Sequence, residues 1–147
     1  MPKILLAEDN PADIYLIREA LREHGVNCPL QVECDGKQVL QLISDPETLE
    51  RGELGLIILD LNLPLHDGIE ILQHLRETER LAHVPVVVLT SSDSPRDRLL
   101  ASELGADCYV RKPSSLDQFL GLGEVFKNLL ISAKSTDVVG NAEKGPQ

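Results

Sequence analysis

Apolar residues fall in five short runs, and stretches with helical spacing follow them. The first run, Lys3 to Ala7 (KILLA), ends at Glu8-Asp9. Asn10 then reads as a helix N-cap, with Pro11 at the first helical position, where its missing N–H costs nothing. Ile14, Ile17 and Leu21 continue at helical spacing until Gly25. Leu30, Val32 and Cys34 alternate with polar residues, the pattern of a half-exposed strand near a sheet edge. Asp35-Gly36 opens a second helix carrying Val39, Leu40 and Ile43. Residues Ser44 to Gly55 are polar and contain Pro46, so they hold a helix end and a connection of unassigned boundary.

Leu56 to Leu59 is continuously apolar, as in a central strand buried on both faces, and it ends at Asp60. The loop Leu61 to Asp67 leads into a helix from about Gly68 to Thr78, with Ile71, Leu72 and Leu75 on one face. Pro85 to Leu89 is the next buried strand and ends at Thr90. Ser94-Pro95 caps a fourth helix that Gly105 terminates. Cys108 to Val110 is the fifth strand, before Lys112-Pro113. Ser115 caps a last helix with Phe119, Phe126 and Leu130 along one side, weakened by Gly121 and Gly123. Five β-α units imply a parallel α/β sheet with helices on both faces, and right-handed crossovers leave few topologies. The reading is one domain over residues 1–132. The low-hydrophobicity tail, 133–147, is expected to be disordered or loosely attached.

Composition narrows the function. The 147 residues suit one domain with a core large enough to need no disulfide or structural metal. A formal net charge of −10 argues against a nucleic-acid partner and against docking on an anionic membrane. Cys28, Cys34 and Cys108 are odd in number, form no C-x-x-C pair and follow no secretory signal, so a reduced, cytoplasmic protein is expected. Each reads as a small hydrophobe. His24, His66, His74 and His83 show no metal spacing and read as surface residues. The longest apolar runs fall far short of the ~20 residues of a membrane span.

Candidate chemistry collects at one rim. In a parallel sheet, ligands sit outside the carboxyl ends of the strands. Glu8-Asp9, Asp60, Thr90 and Lys112 follow strands one, three, four and five directly. Carboxylates ~4 Å apart repel by about 4 kcal/mol at an effective dielectric near 20, so one protonates or a cation enters. An all-oxygen set with few ligands and room for water suits Mg²⁺. A cation, a lysine and a hydroxyl around a carboxylate are what phosphoryl transfer to that carboxylate requires. Each residue alone has a plainer reading. Glu8 and Asp9 suit a helix N-terminus, Thr90 a strand end, Lys112 a solvated surface and Tyr109 the core. Asp60 is harder to dismiss, because burying an unpaired acid at the end of an apolar strand is costly.

Together these residues resemble the response-regulator receiver family of two-component systems. The resemblance rests on Glu8-Asp9, on LDLNLP with DG (Leu59 to Pro64, Asp67-Gly68), on VVVLT with Ser91, and on YVRKP (Tyr109 to Pro113). The intervals fit too, with 30 residues from Asp60 to Thr90 and 22 from Thr90 to Lys112. It covers about residues 3 to 131.

The resemblance implies a flavodoxin-like receiver fold with strand order 2-1-3-4-5. It implies phosphorylation of Asp60 by a sensor histidine kinase, and Mg²⁺ held by Asp9, Asp60 and the Asn62 carbonyl, with Glu8 reaching it through water. Lys112 would pair with Asp60 or its phosphoryl group, Thr90 would swing to bind the phosphoryl oxygens with Ser91 as the small residue after it, and Tyr109 would follow into the space vacated. The bond before Pro113 would be cis. The switching face would be the fourth helix, fifth strand and fifth helix, with activation-linked homodimerisation. Only self-phosphorylation and self-dephosphorylation are implied, with no separate turnover substrate. The long 44–55 segment and the DNPAD opening (Asp9 to Asp13) resemble the stand-alone regulators that pair with bacterial phytochromes.

Two other classes stay in view. A haloacid-dehalogenase-type phosphatase would want an acid at position 62, which is Asn. A flavodoxin-like flavin carrier would want a glycine- and hydroxyl-rich loop where Glu8-Asp9-Asn10-Pro11 stands.

Overall fold

In a computed structural model, residues 2–47 and 53–143 are described, those beyond 130 by backbone alone. The elements run β1 Lys3–Ala7, α1 Pro11–Glu23, β2 Leu30–Glu33, α2 Gly36–Ser44, β3 Leu54–Leu59 and α3 Gly68–Glu77. After a 3-10 turn, Glu79–Leu81, come β4 Val86–Thr90, α4 Pro95–Glu103, β5 Cys108–Arg111 and α5 Leu116–Glu143. All pairings are parallel, and the sheet order is β2-β1-β3-β4-β5. The expected α/β class and strand order are both observed.

The caps form as the sequence indicates. Asn10 Oδ1 accepts from the amides of Ala12 and Asp13, which fixes where α1 begins. Asp35 and Ser94 cap α2 and α4 in the same way. Gly25 and Gly105 lie at φ +72° and +80°, the left-handed conformation that ends a helix with little strain.

Alternation along the strands divides the core into two layers. Leu5, Ala7, Ile57, Leu59, Val86 and Val88 face Val39 and Ile43 of α2 and Ile71, Leu72 and Leu75 of α3. Ile4, Leu6, Leu56, Ile58, Val87 and Leu89 face α1 and α5 through Ile17, Ala20, Phe119 and Phe126. The three central strands are therefore buried on both faces, and their carboxyl ends emerge side by side.

The reach of α5, the start of β3 and the exposure of Cys34 differ from the sequence expectation, and Gly123 gains a second role. Helix α5 continues to Glu143, into the segment expected to lack structure; residues 144–147 lie outside the described ones. No proline interrupts 116–143, and extending an existing helix costs far less than starting one. Gly123 is a packing position as well as a weak helix former, because a Cβ there would collide with Ala20 O of α1. Cys34 is exposed rather than packed. Helix α2 ends at Ser44 and β3 begins at Leu54, while residues 48–52 of the connection are not described.

Candidate phospho-acceptor and metal site

The rim at the carboxyl ends of β1, β3, β4 and β5 gathers the expected residues. Asp60 follows β3 and is buried, as are Glu8 after β1 and Thr90 at the end of β4. The amide of Asp60 donates to Ala7 O at 3.0 Å, continuing the ladder one residue past the strand. Asp60 Oδ1 accepts from the amide of Asn62 at 2.9 Å, which leaves Oδ2 directed to the rim's cation.

That cation is Lys112. Its amide donates to Thr90 O at 2.8 Å, holding the residue at the end of β5. Its ammonium lies 2.9 Å from Asp60 Oδ2, 2.8 Å from Glu8 Oε1 and 2.7 Å from Asp13 Oδ2. Burial disfavours the lysine's charge, but the hydrogen bonds to Asp13, Glu8 and Asp60 outweigh it and raise its pKa above the ordinary value. Burial acts the opposite way on Glu8. It raises that carboxyl to about 7, with Asp60's charge adding to the effect and the Lys112 hydrogen bond opposing it. Glu8 Oε2 also accepts from the amides of Asp9 and Asn10, each at 3.1 Å, so its rotamer is set by the turn that starts α1.

Glu8, Asp9 and Asp60 present oxygens that lie within 4.8 Å of one another. Asp9 is exposed while the other two are buried, which leaves an open side for water. Three carboxylates (Glu8, Asp13 and Asp60) share one ammonium and Asp9 stands beside them, so acids outnumber the cation at the site. A hard, oxygen-seeking divalent ion with retained waters fits that donor set.

Thr90 is joined to the turn after Asp60 through Asn62, and Tyr109 is joined to the turn after Thr90 through Ser92. Thr90 Oγ1 accepts from Asn62 Nδ2 at 3.1 Å and from the amide of Ser92 at 3.3 Å. Ser91 is exposed at the rim. Tyr109 is half-buried; its hydroxyl donates to Ser92 O at 3.1 Å, and Arg98 of α4 stacks over its ring at 4.5 Å. The ring thus bridges α4 and β5. Gly68, at the start of α3, is needed because a Cβ there would lie 2.5 Å from Leu61 Cα and 2.9 Å from Asp60 O.

The expected cis bond before Pro113 is not present: peptide bonds among the described residues are trans. An X-Pro bond prefers trans by about 0.5–1 kcal/mol, and Lys112 reaches all three carboxylates from that isomer. Two contacts went unanticipated. Asp13 joins the rim from the first turn of α1, and the Asn62 side chain bonds Thr90. Asp13 falls in the first turn of α1, directly after the Glu8-Asp9 turn at the rim, so its position was open to inference. The Asn62 side-chain contact left no signal in spacing. The histidines form no metal cluster among the described residues, and there no helix is long and apolar enough to cross a membrane.

Comparison with known proteins agrees with this geometry. Residues 4–122 match the model of the response regulator receiver domain. The chain is 36% identical over 114 residues to the response regulator Rcp1 of Synechocystis sp. (strain ATCC 27184 / PCC 6803 / Kazusa), covering 77% of this chain and 78% of Rcp1. It is 39% identical over 113 residues to the transcriptional regulatory protein CpxR of Escherichia coli (strain K12), covering 77% of this chain but 44% of CpxR. Its fold superposes on the phosphorylated cyanobacterial phytochrome response regulator RcpA with a TM-score of 0.79 at 35% identity, covering 89% of this chain and 94% of RcpA. The Mn²⁺-bound form of Rcp1 gives 0.75 at 31% identity, covering 86% and 92%.

Proposed function

This chain belongs to the response regulator receiver domain family of two-component signalling, and from that membership we propose that Asp60 is its phospho-acceptor. The observation that carries the reading is Asp60 Oδ2, held 2.9 Å from Lys112 Nζ beside two further acids whose oxygens lie within metal-sharing distance. The donor is the phosphohistidine of a partner sensor kinase. An Asp60 oxygen forms the new O–P bond as the P–N bond breaks. The imidazole takes the bonding pair and, already protonated on its other nitrogen, leaves neutral. Glu8, Asp9 and Asp60, with the Asn62 carbonyl, would hold Mg²⁺. When bound there, the ion would supply charge neutralisation for the transferring phosphoryl oxygens.

The chain's own residues do the rest. Lys112 presents its ammonium to the same oxygens. The Thr90 hydroxyl, buried and within reach of Asn62 and Ser92, turns to donate to the phosphoryl group. Tyr109 exchanges its Ser92 contact for the space Thr90 vacates, which moves the α4–β5–α5 face. The proposal extends to activation-linked homodimerisation through that face and to a bacterial phytochrome as the kinase, the latter supported by the likeness to a cyanobacterial phytochrome response regulator. Receiver domains are generally not turnover enzymes, and none of these steps needs a separate substrate.

Incubation with Mg²⁺ and acetyl phosphate, read by intact mass, tests the reading. Wild type gains one phosphoryl group and loses it on standing, and Asp60→Asn gains none. Steady release of phosphate from generic esters would instead mark a phosphatase.

A further inference from the structure

Lys112 is saturated with carboxylates before any phosphoryl group arrives. An ammonium has three N–H donors, and here three carboxylate oxygens take them, at 2.7 Å (Asp13), 2.8 Å (Glu8) and 2.9 Å (Asp60). The contact is enclosed, with the Lys112 and Asp13 side chains 14% and 18% exposed. A phosphoryl group on Asp60 adds acceptor oxygens and charge. To donate to them, Lys112 must give up a carboxylate. Glu8 and Asp60 belong to the group whose oxygens converge for a cation; Asp13 lies outside it, and among the three it is held at the shortest distance. Its place is fixed by the chain, because its amide is bound by the Asn10 cap at 3.2 Å.

We propose that Asp13 is a positioning residue that competes with the phosphoryl group for Lys112, and so sets how tightly the site takes that group. The inference rests on the reading of Asp60 as acceptor. Asp13 touches neither donor nor metal in this account; it acts through the lysine. Its carboxylate holds the ammonium against α1 when Asp60 is free, and releases it when phosphoryl oxygens outbid it.

Beryllofluoride is the probe, because it occupies the tetrahedral place of a phosphoryl group on a carboxylate. Its affinity in saturating Mg²⁺, by calorimetry, is compared in wild type, Asp13→Asn, Lys112→Ala and the double variant, with Asp60→Asn as control. Circular dichroism verifies that each is folded. Asp13→Asn keeps the shape but removes the charge, and should tighten binding about fivefold, the size a partly solvated ion pair carries. In the Lys112→Ala background the same change should shift affinity less than about twofold, since the residue it acts through is gone. Asp13→Glu, which restores the charge, should return affinity to near wild type.

Equal tightening with and without Lys112 would mean that Asp13 contributes only general negative charge, and the inference falls. No tightening, or weaker binding, overturns it as well. If wild type and Asp60→Asn both fail to bind, the acceptor reading fails and takes this inference with it. If only Asp60→Asn fails, the acceptor reading stands whatever Asp13 does.

Discussion

Two part-buried cations sit at opposite ends of the sheet, and they keep different company. Arg76 of α3 lies at the amino ends of β4 and β5. Its guanidinium donates to four backbone carbonyls, those of Leu104, Ala82, Val84 and Gly105, at 2.7–3.0 Å. Burial lowers its pKa, and Asp107, 3.8 Å away, offsets part of that. Lys112, at the carboxyl end of β5, faces only carboxylates. At the Arg76 end four of the five N–H donors meet neutral carbonyls, and the connections that lead into β4 and β5 are tied together. At the Lys112 end negative charge exceeds positive, so the site can still take up a proton, a metal or a lysine-directed phosphoryl group. A cation balanced by carbonyls is a fastening. One outnumbered by acids belongs to a site that binds.

The charge excess makes one end titrate. Glu8 has a folded pKa raised to about 7 against an ordinary 4.5. Between those values the folded state keeps a proton that the unfolded state has lost, so stability falls as pH rises through this window. Lys112 is raised, so its contribution is complete below its unfolded pKa and constant over the same window. In EDTA, Glu8→Gln should match wild type near pH 4 and exceed it by about 3 kcal/mol near pH 8, in urea titrations. Mg²⁺ should shrink the difference by stabilising the ionised wild-type site. A constant gap at all pH values would remove Glu8 from the account.

Deleting each cation sharpens the contrast. Arg76→Met strands buried carbonyls and should cost about 2–3 kcal/mol that Mg²⁺ does not restore. Lys112→Met leaves acids uncompensated and should cost about 2 kcal/mol, most of it recovered in millimolar Mg²⁺. Equal Mg²⁺ responses in the two variants would dissolve the distinction drawn between the ends. Gly68→Ala tests the packing beneath Asp60. A Cβ 2.5 Å from Leu61 Cα forces the backbone next to Asp60 to shift. A loss of about 1–2 kcal/mol is expected, with slower phosphorylation by acetyl phosphate.

Most of the architecture was legible because its signals are local. Asn10, Asp35 and Ser94 mark helix starts within a few residues of the bonds they make. The apolar runs end at the residues that the parallel sheet then aligns. What escaped was long-range or cooperative. Asp13 and Lys112 are 99 positions apart, and only the tertiary fold, with α1 packed against α5 and the strand ends aligned at one rim, brings them together. Nothing local marks Arg76 either, because its four carbonyls come from two connections that fold against it. The continuation of α5 past residue 132 follows from helix cooperativity, which a low-hydrophobicity count does not register. The trans bond before Pro113 separates a family expectation from this chain.

The central claim is that Asp60 alone carries the phosphoryl group, although Glu8, Asp9 and Asp13 crowd the same lysine and rim. Its most direct test is chemical mapping. The protein is phosphorylated with acetyl phosphate and Mg²⁺ and then treated with sodium borohydride, which reduces an acyl phosphate to an alcohol and so converts the modified Asp to homoserine. Peptide mass spectrometry locates it. The account predicts homoserine at position 60 and at none of the other rim acids. Homoserine at position 9 or 13, or a mass gain that leaves position 60 unreduced, would contradict it.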